Sequence, residues 1–387
     1  MGCAFQCAYC FARHRGGNSG GETVRPADPE DIINRLEYAE RVEPGPENGM
    51  ITQCLTHRMP IHLGGMSDPF QPVERRYRVT KKVISKMSEI NYPVVISTKS
   101  PLVSEEIYIN ELKENENVVV QFSLSTIDDE KAKVIEKEDV CPSKILNSAE
   151  KLSESGIPVT LRWQPYIPGI SESPDEFTSL VSSAGVKHIA VEHLKIPLEK
   201  KKMWSKIRRV SGGKMEKLYR KKGSIVEREL VLDSEAKIET VLSAKKEINK
   251  KGISFGAADN DMQYLSDTKC CCSGIDQFEG FEKWFKYQIS NAVKMGIGKE
   301  IKFSNISNKW RPKGSIDRYL NSNSRISKKE GNRGTISEHI EKRWENKGSE
   351  FNPTSYWGVE YSGRRDEDGR KIYKWDDEKI DTIKQAV

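Results

Sequence analysis

Residues 92–124 read YPVVISTKSPLVSEEIYINELKENENVVVQFSL. Two short runs rich in β-branched and aromatic residues, Tyr92–Thr98 and Val118–Leu124, flank a stretch of helical composition, Ser104–Glu114. Ser104 is placed as the helix N-cap, and Glu105 and Glu106 sit where the helix dipole favours acids. Strand, helix, strand, with strands that are nearly continuous apolar runs, is the βαβ unit of a parallel sheet covered on both faces. Outward from it the rhythm repeats. Pro60–Gly64 (PIHLG) ends in a glycine pair, and Glu74–Ile90 has helical spacing at Val79, Val83, Ile84 and Met87. Lys144–Ser155 reads as a helix closed by Gly156 as a C′ glycine, and Ile157–Trp163 and Lys187–Leu194 as strands. Ser234–Lys251 is helical, stops at Gly252, and leads into one more strand candidate, Ile253–Ala258. Because βαβ crossovers are right-handed, such a series curls into a barrel or a doubly wound sheet.

The chain has 387 residues, enough for a large domain with an appendage. Charged residues make up 31% and the mean hydropathy is −0.66, which fits a soluble protein. No run of about 18 apolar residues is long enough to span a bilayer, and no signal peptide is visible. The expected compartment is the cytoplasm, with no membrane partner. Net charge is +6, but its distribution says more: Lys200–Lys222 holds eleven Lys and Arg against one acid, Glu216. Such a block needs either water or an anionic partner. Trp204 and Tyr219 are interleaved with it, a composition suited to single-stranded nucleic acid.

Ser304–Gly334 is dominated by Asn, Ser, Lys and Gly and reads as an irregular extension. Trp357–Trp375, with Asp368-Gly369 between aromatic runs, reads as a hairpin whose apolar face needs a partner. The expected organisation is a core over 1–260 with a basic insertion at about 199–230, a Cys-rich segment and helix closing that core over 261–300, and a polar extension over 301–387.

Eight cysteines stand at positions 3, 7, 10, 54, 141, 270, 271 and 272. Six fall in two tight clusters, which argues for metal or redox chemistry and against a disulfide framework. Cys3, Cys7 and Cys10 lie in CAFQCAYCF. Thiolates suit iron–sulfur clusters and zinc. Three on one loop can hold three irons of a cubane cluster and leave the fourth open to a small molecule.

The C-x3-C-x2-C spacing, with Tyr9 before the last cysteine, resembles the motif of radical S-adenosylmethionine (SAM) enzymes. Gly64-Gly65, Ser67-Asp68-Pro69-Phe70-Gln71-Pro72-Val73-Glu74, Ser97-Thr98-Lys99-Ser100, Phe122–Thr126 with Asp128, and Pro165–Gly169 follow in the order of its spore photoproduct lyase-like branch. The resemblance covers about residues 2–200. It implies a partial (β/α)6 barrel with chemistry at the strand C-terminal ends, a [4Fe–4S] cluster on Cys3, Cys7 and Cys10, and reductive cleavage of SAM to a 5′-deoxyadenosyl radical that abstracts hydrogen from a substrate. It further implies SAM contacts at Gly64, Gly65, Ser67, Lys99, Ser123 and Ser125, with Glu136 a polar contact nearby. An external flavodoxin- or ferredoxin-like electron donor follows, and a DNA-repair member of the branch makes nucleic acid a candidate partner through Lys200–Lys222. Two departures argue against a thymine-dimer lyase: Gly65-Met66 has no thiol ahead of Ser67-Asp68, and Phe11 follows Cys10 where that enzyme has tyrosine. The first barrel strand is expected to be missing ahead of Cys3.

Other readings stand beside these. Cys3, Cys7, Cys10 and His14 could form a Cys3His zinc site, giving a non-catalytic zinc- or cluster-stabilised nucleic-acid-binding protein. Cys270-Cys271-Cys272 fits small buried hydrophobes, a hydrogen-donating thiol (Cys271 or Cys272), or ligands to a second cluster that would recruit Cys54 or Cys141. His188 and His193, five apart on one strand, point to opposite faces and read as packing or barrel-lining groups; Glu192 or Arg162 could join one of them in a cavity. Trp163 and Tyr166 read as core aromatics or as a surface for a planar substrate.

Overall fold

The computed structural model describes residues 2–10, 24–45, 47–136, 141–198, 201–226, 229–268, 273–278, 281, 288–306, 336–346 and 352–386. Helices α1 (Glu30–Arg41) and α2 (Met50–Thr56) precede strand β1 (Ile61–Leu63). There follow α3 (Glu74–Tyr77), α4 (Val79–Glu89), β2 (Val94–Thr98), α5 (Glu106–Lys113), β3 (Val118–Leu124), α6 (Asp129–Ile135), α7 (Pro142–Glu154) and β4 (Val159–Tyr166). Then come α8 (Pro174–Val181), β5 (His188–His193), β6 (Ile196–Pro197), α9 (Lys201–Ser211), α10 (Lys214–Lys222), β7 (Gly223–Val226), β8 (Glu229–Leu232), α11 (Ser234–Lys250) and β9 (Ser254–Ala257). The chain forms two compact units, Met1–Ile33 with Pro60–Phe255, and Asn34–Met59 with Gly256–Val387.

The first unit is built on an open six-stranded sheet in the order β1-β2-β3-β4-β5-β9. The pairings from β1 through β5 are all parallel, as the βαβ rhythm predicts. β1 is an edge strand of this sheet. This is a partial barrel.

Local chemistry explains the element boundaries. The helix expected over 74–90 breaks at Arg78, whose φ of 53° ends α3 and begins α4. The buried Glu74 carboxylate accepts from Thr80 N (2.9 Å) and Lys81 N (2.9 Å), satisfying first-turn donors of α4 that have no intrahelical partner. On α4, Val83, Ile84 and Met87 are buried at helical spacing. Ser104 is not the N-cap of α5. It ends a 3-10 turn, Pro101–Ser104, and Glu105 takes the cap position; the Ser104 hydroxyl donates to Pro101 O (2.8 Å) instead. Gly156 sits at φ 81° past the end of α7, where a left-handed C′ residue closes the helix.

The sheet has two chemically different faces. Thr98, Phe122, Leu161 and Ile189 are register partners, and on this face Trp163 stacks on Phe177 of α8 at 3.9 Å and 7°. The packing reading of Trp163 therefore holds. On the other face Ser97, Gln121, Thr160 and His188 are register partners. His62 Nε2 lies 2.7 Å from Ser97 Oγ, which donates to Gln121 Oε1 (3.2 Å), and Gln121 Nε2 donates to Thr160 Oγ1 (3.1 Å). Buried polar groups need such partners, and here Ser97, Gln121 and Thr160 are linked to one another and to His62. Alternation puts Lys99, Ser123, Arg162 and Ala190 in the next row of the same face. His193 faces away from that row and meets Tyr166 edge-on at 5.1 Å.

In the second unit, strands β10 (Val359–Arg365) and β11 (Lys371–Trp375) pair antiparallel around the Asp368-Gly369 turn. The hairpin's apolar face finds its partner in helix α13 (Ile336–Glu345), which follows α12 (Ile289–Met295). Trp344 meets Tyr373 edge-on at 5.2 Å, and its indole donates to Lys371 O (2.8 Å). Ile301 bridges Tyr373, Tyr264 meets Trp375 at 5.1 Å, and a last helix, α14 (Ile380–Ala386), closes the described chain.

Candidate metal and cofactor site

The Cys3–Cys10 loop is tied to the segment after β1 by one side chain, the buried Gln71. Its Oε1 accepts from Ala4 N (2.6 Å), and its Nε2 donates to Gly2 O (3.1 Å) and Asp68 O (2.9 Å). Ala8 N donates to Ile135 O (2.8 Å), fixing the far side of the loop to α6. Cys7 is buried and Cys3 and Cys10 half-buried. Burial, then Glu136, pushes the Cys7 thiol well up, and burial raises Cys3. A buried thiol at such a site ionises only against a nearby cation. Among the described residues no three His, Cys, Asp or Glu stand close enough to hold a metal ion as they are. Three soft donors on one tethered loop, each within electrostatic reach of the others, nevertheless fit an iron–sulfur cluster by donor chemistry.

Beside the loop lies a buried carboxylate that the sequence marked only faintly. Glu136, at the C-cap of α6, has a side chain 2% exposed. It accepts from the Tyr9 hydroxyl, from Lys99 Nζ (3.1 Å) and from Ser125 Oγ (2.9 Å). Lys99 Nζ also donates to Ser123 O (2.9 Å) and lies 5.5 Å from the Tyr9 ring centroid. Burial opposes the Lys99 charge, but Glu136 and then Cys7 outweigh it and hold the ammonium above its ordinary value. The structure thus brings Tyr9, Lys99, Ser123 and Ser125 together. The Ser125 hydroxyl is engaged with Glu136, so Ser125 is a second support for that carboxylate.

Asp68 organises the β1–α3 segment. Its carboxylate accepts from Phe70 N (2.8 Å), Thr98 Oγ1 (2.8 Å) and Lys99 N (2.7 Å). Burial pushes its carboxyl up to about 6 against the pull of those bonds. Ser67 precedes it and is half-buried. Gly64 has φ 99°, and a Cβ there would stand 2.0 Å from Ser97 O. Gly64→Ala is therefore expected to destabilise the β1–β2 edge by at least ~1–3 kcal/mol. At Gly65 the nearest atom to such a Cβ is His62 Nδ1 at 3.6 Å, so Gly65→Ala should change stability by less than about 0.5 kcal/mol. Paired thermal melts check both; equal losses would refute the distinction.

The remaining candidates are dispersed. Cys141 Sγ lies 3.1 Å from Asp129 Oδ2, and Cys54 belongs to α2 in the second unit. Cys270, Cys271, Cys272, His14 and Phe11 lie outside the described residues, as do Lys200 and the side chain of Trp204. Tyr219 is fully buried, and its hydroxyl donates to Leu194 O (2.5 Å). It is a core residue and offers no stacking surface.

The uncharacterized proteins Mb2609c of Mycobacterium bovis and Rv2578c of Mycobacterium tuberculosis are each 23% identical over 195 residues, 49% of this chain and 55% of theirs. The chain thus spans about half the length of the curated relatives it matches. Among solved structures, a spore photoproduct lyase variant superposes with TM-score 0.49 at 15% identity over 66% of this chain and 74% of its own. Streptococcus suis SuiB bound to S-adenosylmethionine superposes with TM-score 0.41 at 14% identity over 67% and 48%. Residues 1–182 match the family model of the Radical SAM superfamily, a superfamily built on a [4Fe–4S] cluster and SAM.

Proposed function

We propose that this protein is a radical SAM enzyme of the spore photoproduct lyase-like kind, holding its cluster on Cys3, Cys7 and Cys10. When bound, the cluster supplies the electron that splits SAM into methionine and a 5′-deoxyadenosyl radical able to take a hydrogen atom from a substrate. The protein's own residues bind and orient. Gly64 and Gly65 present backbone to the methionine moiety, where a side chain would block approach. Ser67 and the Lys99 ammonium meet its carboxylate, and Ser123 meets the ribose. Tyr9, anchored through Glu136, holds the loop between Cys7 and Cys10 in register with Lys99.

The observation that carries this reading is the Glu136 junction, where one buried carboxylate joins the cysteine loop to the lysine on β2. A flavodoxin- or ferredoxin-like protein is proposed as the electron donor, the cytoplasm as the compartment, and nucleic acid as the partner of the basic 200–222 stretch. The test is anaerobic reconstitution with iron and sulfide, then SAM and dithionite. A brown protein that forms 5′-deoxyadenosine is expected. A loaded protein that forms none, or a colourless one that retains zinc, overturns the reading.

A further inference from the structure

The C-terminal end of β1 carries an ionisable side chain with no role in the site described above, His62. Side chains alternate along the strand Ile61–Leu63, and His62 stands on the polar face of the sheet against Ser97. It lies two residues before Gly64, at the strand end where βα barrels carry their chemistry. His62, Gly65 and Met66 are exposed, whereas Ser97, Gln121 and Thr160 behind them are buried. A ligand resting on the glycine pair can therefore reach the imidazole.

The hydrogen-bond chain beneath the ring fixes which nitrogen carries the proton. Ser97 Oγ gives its one proton to Gln121 Oε1 (3.2 Å), and Gln121 Nε2 donates onward to Thr160 Oγ1 (3.1 Å). Ser97 Oγ then accepts in its 2.7 Å contact with His62, so Nε2 bears the hydrogen. Desolvation, then the Arg162 guanidinium, pushes the imidazole down to about 4, and the ring is neutral at neutral pH. In a neutral ring with the hydrogen on Nε2, Nδ1 is an acceptor. This Nδ1 makes no hydrogen bond with the described residues. It is also the nearest atom, at 3.6 Å, to the point where a Gly65 side chain would begin.

We propose that His62 Nδ1 accepts a hydrogen bond from the amino group of SAM, as a cofactor-binding residue whose tautomer is set by Ser97, Gln121 and Thr160; the inference rests on the SAM reading above and adds a side chain to it. An amino group lying against Gly64 and Gly65 needs acceptors, and the glycines offer backbone alone. The acids of the site are committed elsewhere. Glu136 accepts from Tyr9, Lys99 and Ser125, and Asp68 from Phe70 N, Thr98 and Lys99 N. Met66, next in the chain, brings only a thioether, which accepts weakly. The imidazole supplies a strong lone pair on the Gly65 side, and its neighbours hold it in the one tautomer that can use it.

The test is equilibrium dialysis of SAM against reconstituted, unreduced protein, so that no turnover enters the measurement. His62→Gln keeps a side-chain N–H able to reach Ser97 and has no acceptor at the Nδ1 position. His62→Asn places its amide at the level of Nδ1 and restores an acceptor there. The Gln variant should bind SAM more weakly by on the order of tenfold, the loss of one hydrogen bond in an otherwise intact site, and the Asn variant should recover most of it. Iron content should be unchanged in both. The SAM analogue without the α-amino group, the adenosylsulfonium of 4-(methylthio)butanoate, should bind wild type and His62→Gln alike, because the partner of Nδ1 is already gone. Equal SAM affinity in wild type and His62→Gln, an Asn variant as weak as Gln, or an analogue weakened by His62→Gln as much as SAM is, each overturns the assignment. A wild type that holds its cluster and binds no SAM strikes the SAM reading itself, and His62 falls with it.

Discussion

Cys7→Ala protein, reconstituted without oxygen, is expected to emerge colourless, with iron and sulfide near background and no 5′-deoxyadenosine formed. Cys7 is the buried member of the three thiols, and no other described thiol lies on the Gly2–Cys10 loop besides Cys3 and Cys10. Two thiolates on a loop do not retain a cube that needs three. The substitution removes one sulfur from a small site, so the fold should survive: the loop's anchors run through Gln71, Ile135 and Glu136 and do not involve the thiol. Far-UV circular dichroism should therefore overlay with wild type. Full iron content in the variant would remove Cys7 from the ligand set. Lost helicity would mean that Cys7 acts through packing.

Glu136→Ala is the second large effect. It strands the Lys99 ammonium, whose side chain is only 13% exposed, and releases the Tyr9 hydroxyl. Removing one partner of a buried ion pair costs about 3–5 kcal/mol, whereas replacing both by apolar groups of similar volume is often neutral. The double variant Glu136→Leu/Lys99→Met should therefore recover much of the lost stability. It should not recover SAM binding, because the cation proposed to meet the carboxylate is gone. Glu136→Gln should sit between, keeping an acceptor for Tyr9 while halving the pair. Denaturation midpoints together with SAM titration separate these roles. A double variant no more stable than Glu136→Ala would show that the junction contributes through something other than charge.

The architecture was legible because the chain repeats one signal. Val/Ile-rich runs, each followed by an amphipathic segment, identified β2 through β5. The hairpin at 357–375 was legible from Asp-Gly between aromatic runs. What escaped was the second periodicity inside the strands. Gln121, Ser123 and Ser125, like Thr160 and Arg162, alternate with large apolar residues, but the runs were read as apolar on both faces. That alternation marks the polar inner row, and it was present to be counted. Glu136 was expected only as a polar contact nearby, and its role as a junction was hidden for a different reason. Its partners Tyr9, Lys99 and Ser125 are 127, 37 and 11 residues away, so nothing in its immediate neighbours announces a buried junction. Tyr219 was misjudged because composition counts an aromatic among lysines without saying which face of the helix carries it.

The interleaving of the two units sets an order of events on the ribosome. Asn34–Met59 leaves the exit tunnel about 200 residues before Gly256, the start of the segment it joins in the second unit. At an elongation rate of about 5–20 residues per second, that gap lasts roughly 10–40 s. Through it Leu36, Ala39 and Leu55, all buried in the finished molecule, have no completed unit to enter. Nascent chains stalled before residue 256 should therefore recruit a hydrophobic-binding chaperone through this early segment and release it once the C-terminal part is made.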